Sequence, residues 1–206
     1  MTNPQPLNNE QAILNAAEEL FLDKGYVQVS TTAIARKAGC SQAMVHYYYR
    51  SKEKLFALVF KRKVAPFLAS LIEVKQEDIP FEDRIKKRIR AHFDMIRKNE
   101  RIPLIVLNEV LVNRKLTKNM LEIVKDLPSP FIAQLQAELD EEYRRGGIRK
   151  SLATDLIFQI VSMNVMAILL NPLICLYLDA STQTMDTLLE MRKEANVETI
   201  LRSLKP

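Results

Sequence analysis

The side chains of this 206-residue chain best equipped to recognise another molecule fall in one short run, Gln42 to Tyr48. Gln42 carries an amide that both donates and accepts, which is what an adenine edge requires, and Ala43 and Met44 beside it suit contact with a thymine methyl. Tyr47 and Tyr48 bring hydroxyls that fit phosphates or bases. Lys52 follows near the start of the next helix, where backbone N–H groups also attract phosphate. Around this run, residues 24–63 hold nine basic side chains against Glu53 alone, and residues 1–63 carry +4 of the chain's net +5. A charge bias by itself describes a solvated basic face equally well. Coinciding with a run of base-reading side chains, it points to a polyanionic partner.

Catalytic chemistry has no comparable foothold. The sequence has no Gly-rich phosphate loop, no GxSxG and no His–carboxylate cluster with ligand spacing, so neither enzymatic activity nor a metal or cofactor is expected. Two isolated cysteines, Cys40 and Cys175, suit a reducing cytoplasm.

The recognition run needs elements to hold it, and the sequence supplies their punctuation. Ser30 can cap a helix by accepting a backbone N–H left over in the first turn. Ile34, Ala35 and Ala38 give that helix an apolar stripe, and Gly39 ends it in the left-handed conformation that costs glycine least. Ser41 then opens a second short helix over 42–49, and Ser51 a third. Two short helices joined by a tight glycine turn form the helix-turn-helix plan, whose second helix enters the DNA major groove. A preceding helix over about 9–24, with Ile13, Leu14, Ala17, Leu20 and Phe21 at helical spacing, packs behind them. Val27 and Val29 are expected in the core.

The order of residues is more specific than that plan. Gly25-Tyr26, Ser30, Ile34-Ala35, Ala38-Gly39, Ser41, Tyr47-Tyr48-Tyr49, Ser51-Lys52-Glu53 and Leu55 stand at fixed spacing. This pattern closely resembles the DNA-binding segment of the TetR family of bacterial transcription regulators, over about residues 8–60. The resemblance implies a DNA-binding domain over 1–54 and a helical ligand-binding and dimerisation domain over 55–206, with a fourth helix from Ser51 linking the two. Tyr49 aligns with the family's usual Phe and is expected inward, with Val45. His46 stands where the family most often has Tyr and inherits that position's DNA contact. Thr31 and Thr32 open their helix as phosphate contacts or as ordinary first-turn residues. Cys40 replaces a small apolar residue and is expected to pack as one rather than act as a redox sensor.

The remainder reads as further helices, about nine in all, giving an all-α chain. The segments are about 51–74 with Pro66 predicting a kink, 81–99, 103–114, 117–145 bent around Pro128-Ser129-Pro130, one from Ser151, and 184–204. The uncharged stretch 156–178 is long enough to cross a bilayer, but Gln159, Ser162, Asn164 and Asn171 interrupt it and Pro172 would bend it, so a core or subunit interface is the better reading and no membrane partner is expected. By resemblance, 152–172 and 184–204 pair with a second subunit, and a two-fold dimer calls for a palindromic operator. Phe93, Met95, Phe158, Met163 and Met166 could line an apolar ligand cavity, with His92, Asn108 or Asn164 as polar handles, although the same residues suit plain core packing. The resemblance implies a dimeric repressor released from DNA by a small ligand, and the lack of a dominant charged group in the body favours a hydrophobic one. The competing readings are an architectural or scaffold DNA-binding protein whose body takes a protein partner, and a membrane-associated regulator.

Overall fold

In the computed structural model the described backbone comprises residues 6–72, 79–112, 129–179 and 181–206, and side chains are described for 9–63, 79–104, 106–107, 131–179, 181 and 183–206. Among the described residues the secondary structure is helical throughout, in nine helices: α1 (Pro6–Gln28), α2 (Thr31–Ala38), α3 (Gln42–Tyr49), α4 (Lys52–Ile72), α5 (Phe81–Arg97), α6 (Arg101–Val112), α7 (Ser129–Arg144), α8 (Ala153–Tyr177) and α9 (Thr182–Leu204). The chain divides into two units, Met1–Ala65 with Leu104–Lys125, and Pro66–Pro103 with Asp126–Pro206.

The first unit is built on α1–α3 and the start of α4. Gly25 breaks α1 with φ 75° and ψ 170°, so the regular helix ends where the sequence places it, after Lys24. Ile13, Ala17, Phe21, Ile34, Val45, Leu55, Phe56 and Val59 form one buried cluster. The rings of Phe21 and Phe56 meet edge to face at 5.0 Å, an arrangement that adds to what burial alone contributes. One expectation fails here. Val29 is buried, but Val27 is 75% exposed. The break at Gly25 turns Tyr26 inward, where its hydroxyl donates to Glu53 Oε1 at 2.8 Å, and the residue after it faces solvent. α4 runs through Pro66 to Ile72 without ending there.

The second unit is held by the buried faces of α5, α7, α8 and α9. On α8 the buried positions are Ala153, Leu156, Ile160, Asn164, Ile168, Asn171 and Cys175, a repeat of three and four residues that is one helix face. The helix passes through Pro172. Buried Ile85, Ile89, Leu135, Leu139, Val197 and Ile200 pack against that face, with Phe93 and Ile96 in a second cluster. Along the α5–α9 seam, Arg90 pairs with Glu194, Arg97 with Asp186 and Glu190, and Lys193 with Asp94. The exposed pairs of Arg90 and Arg97 each contribute about 0.2–1 kcal/mol and set register more than stability, while Lys193 is itself half-buried. The expected helix over 117–145 is observed from Ser129 as α7, and residues 113–128 lie outside the described residues.

Candidate nucleic-acid interface

The recognition run is presented by two capped helices. Ser30 Oγ accepts the Ala33 N–H at 3.1 Å and Ser41 Oγ accepts the Met44 N–H at 3.3 Å, so each helix starts where the sequence has its serine. Gly39, at φ 69°, ends α2 and returns the Cys40 N–H to the Ala35 carbonyl at 3.0 Å. Ser51 caps α4 in the same way, through the Lys54 N–H.

Burial then divides α3 into two faces. Val45 and Tyr49 are buried one turn apart, and the Tyr49 hydroxyl donates to the Glu10 carbonyl at 2.9 Å. Burial pushes the Tyr49 pKa up to about 12, so it remains a neutral donor anchoring α3 to α1. Gln42, Ala43, His46 and Tyr47 are exposed, Tyr47 at 70%. Met44 and Tyr48 are half-buried and lean on the core cluster. Lys52 Nζ lies 4.1 Å from the centre of the Tyr26 ring, a cation–π contact that holds its ammonium at the start of α4. Of the threonines, Thr32 is exposed and Thr31 half-buried, and both hydroxyls bond the Gln42 amide, at 3.2 and 3.0 Å.

Ion pairing sorts the basic residues in a way that counting charges does not. Lys37 pairs with Glu19 at 2.6 Å, and Arg62 and Lys63 pair with Glu18. Arg36 on α2, Arg50 at the end of α3 and Lys54 on α4 are exposed and have no acidic partner among the described residues. These three are the phosphate-binding candidates that sequence reasoning missed. Their only signal there was membership of a charge count. Cys40 is half-buried against the core, and burial raises its thiol pKa, which opposes the thiolate a redox sensor needs.

Among the described residues, the second unit does not gather the expected ligand residues into one cavity. His92, Asn164 and Asn196 are all buried and bonded in series. Asn196 Nδ2 donates to Asn164 Oδ1 at 3.0 Å, while Asn164 Nδ2 reaches the Ile89 carbonyl at 3.0 Å and His92 Nδ1 at 3.2 Å. Because Asn164 presents its N–H to Nδ1, the His92 proton sits on Nε2. Burial pushes the His92 pKa down to about 4, so the ring is neutral near pH 7. Phe93 is fully buried beside it on α5, and Met95 is half-buried. Phe158, however, stands 74% exposed on the opposite side of α8, and the structure does not bring it together with His92 and Phe93. Met163 and Met166 line a shallow groove between α8 and α9 with Leu170, Ile174 and Leu188, and Asn171 and Asn196 lie along it. The Asn108 side chain lies outside the described residues.

Residues 13–59, which carry α2, α3 and the start of α4, match the family model described as bacterial regulatory proteins, tetR family. Residues 13–59 therefore match the DNA-binding segment of TetR-family regulators. The matched segment is similar to that of bacterial regulatory proteins, and its helix-turn-helix is α2–α3. The likeness extends beyond the head. Over 150 residues, 72% of this chain and 75% of the relative, it is 25% identical to the fatty acid metabolism regulator protein of Bacillus subtilis. Over 156 residues, 74% of each chain, it is 24% identical to the nucleoid occlusion factor SlmA of Marinobacter nauticus. The transcriptional regulator FadR from Bacillus subtilis, solved in complex with stearoyl-CoA, superposes with a TM-score of 0.66 over 94% of this chain and 98% of its own, at 20% identity.

Proposed function

We propose that this protein is a cytoplasmic, dimeric repressor of the TetR family that leaves a palindromic operator when its body binds a long-chain acyl ligand. The observation that carries the dimer is the outer face of α8. Phe158, Leu173, Leu176 and Tyr177 are between 63% and 88% exposed on the side opposite the buried repeat. A contiguous apolar face of this kind in a soluble chain marks an association surface. A two-fold pairing of α8 and α9 with their copies would cover it and set two α3 helices toward half-sites about 34–36 Å apart. The division proposed is a DNA-binding domain over 1–54 and a body over 55–206, with Gln42 and Ala43 facing bases and His46, Tyr47, Lys52, Arg36 and Lys54 facing phosphates.

The acyl ligand is supported by the apolar character of the body and by the relatives, one named for fatty acid metabolism and one solved with stearoyl-CoA. Coupling to DNA requires that the ligand favour one of two states of the dimer. The test is displacement from a selected operator by stearoyl-CoA, with free coenzyme A as control. Release by stearoyl-CoA alone is expected. Retention of the complex at saturating stearoyl-CoA would remove the acyl reading. A second reading, a DNA-bound scaffold whose body takes a protein partner, is favoured by the likeness to a nucleoid occlusion factor. It predicts DNA binding that shows no selected motif and that no small ligand releases.

A further inference from the structure

The Gln42 amide is not a free side chain. Its Nε2 donates to Thr31 Oγ1 at 3.0 Å, and Thr32 Oγ1 donates to its Oε1 at 3.2 Å, so two hydroxyls from the first turn of α2 grip one amide from the first turn of α3. A primary amide has two N–H groups and a carbonyl with two lone pairs. The two threonine bonds use one N–H and one lone pair. What remains is one donor and one acceptor, the set that adenine N7 and N6 require. Thr32 has a single hydroxyl proton and spends it on Gln42, so it has none to offer a phosphate.

We propose that Thr31 and Thr32 are positioning residues that set base preference through Gln42, and that the Thr32 hydroxyl is not a phosphate donor. This rests on α3 reading bases. The gain is preorganisation: ordering a long side chain on binding weakens affinity about 2- to 12-fold, and here that ordering exists before DNA arrives. A phosphate contact would act on every sequence alike. A positioned amide acts at one base pair per half-site.

The test uses the full-length protein and four variants, Thr32→Val, Thr31→Val/Thr32→Val, Thr32→Ser and Gln42→Ala, with melting curves to establish folding. Valine keeps the shape of threonine and removes the hydroxyl. Each protein is put through selection from random duplexes, followed by salt titration on the selected and a scrambled duplex. The expected result is that both valine variants relax preference at the position that Gln42→Ala relaxes. Their discrimination should fall by about 2- to 12-fold, their salt slope should stay unchanged, and Thr32→Ser should restore the preference. A wild-type motif that survives in the valine variants while their salt slope falls would overturn the proposal alone. Failure of the wild-type protein to select any motif would overturn the base-reading assignment of α3, and the proposal with it.

Discussion

At the scale of single residues, the buried polar chain of the second unit makes a pH-dependent prediction. His92 titrates at about 4 when folded and at 6.5 when free, with burial as the cause. Between these values the unfolded chain binds more protons than the folded one, so stability rises with pH across that window and is lost as pH falls from 6.5 toward 4. The loss integrates to about 3 kcal/mol. Denaturant unfolding of wild type and His92→Gln from pH 4 to 7 should show the variant's stability changing less by about that amount, since glutamine has no proton to take up. Equal slopes for both would mean that His92 is not held neutral in the fold. The residue scale also shows which features the sequence conceals. Ser30, Gly39 and Ser41 act on backbone three or four residues away, so their roles are legible from the chain alone. The grip of Thr31 and Thr32 on Gln42 spans about ten residues and depends on how two helices cross. The bond from Asn164 to His92 spans 72 residues, and no local pattern announces it.

At the scale of elements, helix periodicity gave most segments to within a few residues, because each apolar stripe reports its own helix. Which partner a stripe meets is not written in it. α5 and α7 are joined by a bidentate pair, Arg88 to Glu138, at 2.9 Å for both bonds, with Arg88 2% exposed and Arg84 also beside the carboxylate. In sequence these were two charges on two amphipathic helices, and nothing assigned them to the core. Removing one partner strands the other in a desolvated site. Glu138→Ala should therefore cost about 3–5 kcal/mol in denaturant unfolding, whereas Arg88→Met/Glu138→Leu should recover much of it. A loss under about 1 kcal/mol for Glu138→Ala would show the pair to be solvated. Phe158 illustrates the same limit from the other side. Its apolar character fitted a cavity wall, and only the phase of the α8 repeat, read against the helices that cover it, puts Phe158 outside.

At the scale of the whole molecule, a basic, helix-presenting head is followed by a body with an exposed apolar face on α8. If that face is the dimer interface, Phe158→Glu/Leu173→Glu should yield a folded monomer by sedimentation, because charges cannot be buried unpaired between copies. Its affinity for a palindromic duplex should drop to that of a half-site. A variant that remains dimeric would place the interface elsewhere.

The central claim, a sequence-specific dimeric regulator, is tested most directly by selecting binders from random duplex DNA with the purified protein at physiological salt. The account predicts an enriched palindrome whose half-sites are centred about one helical turn, or a multiple of it, apart. Enrichment without a motif, lost steeply as salt is added, would contradict it and leave a protein held to DNA by phosphate charge alone.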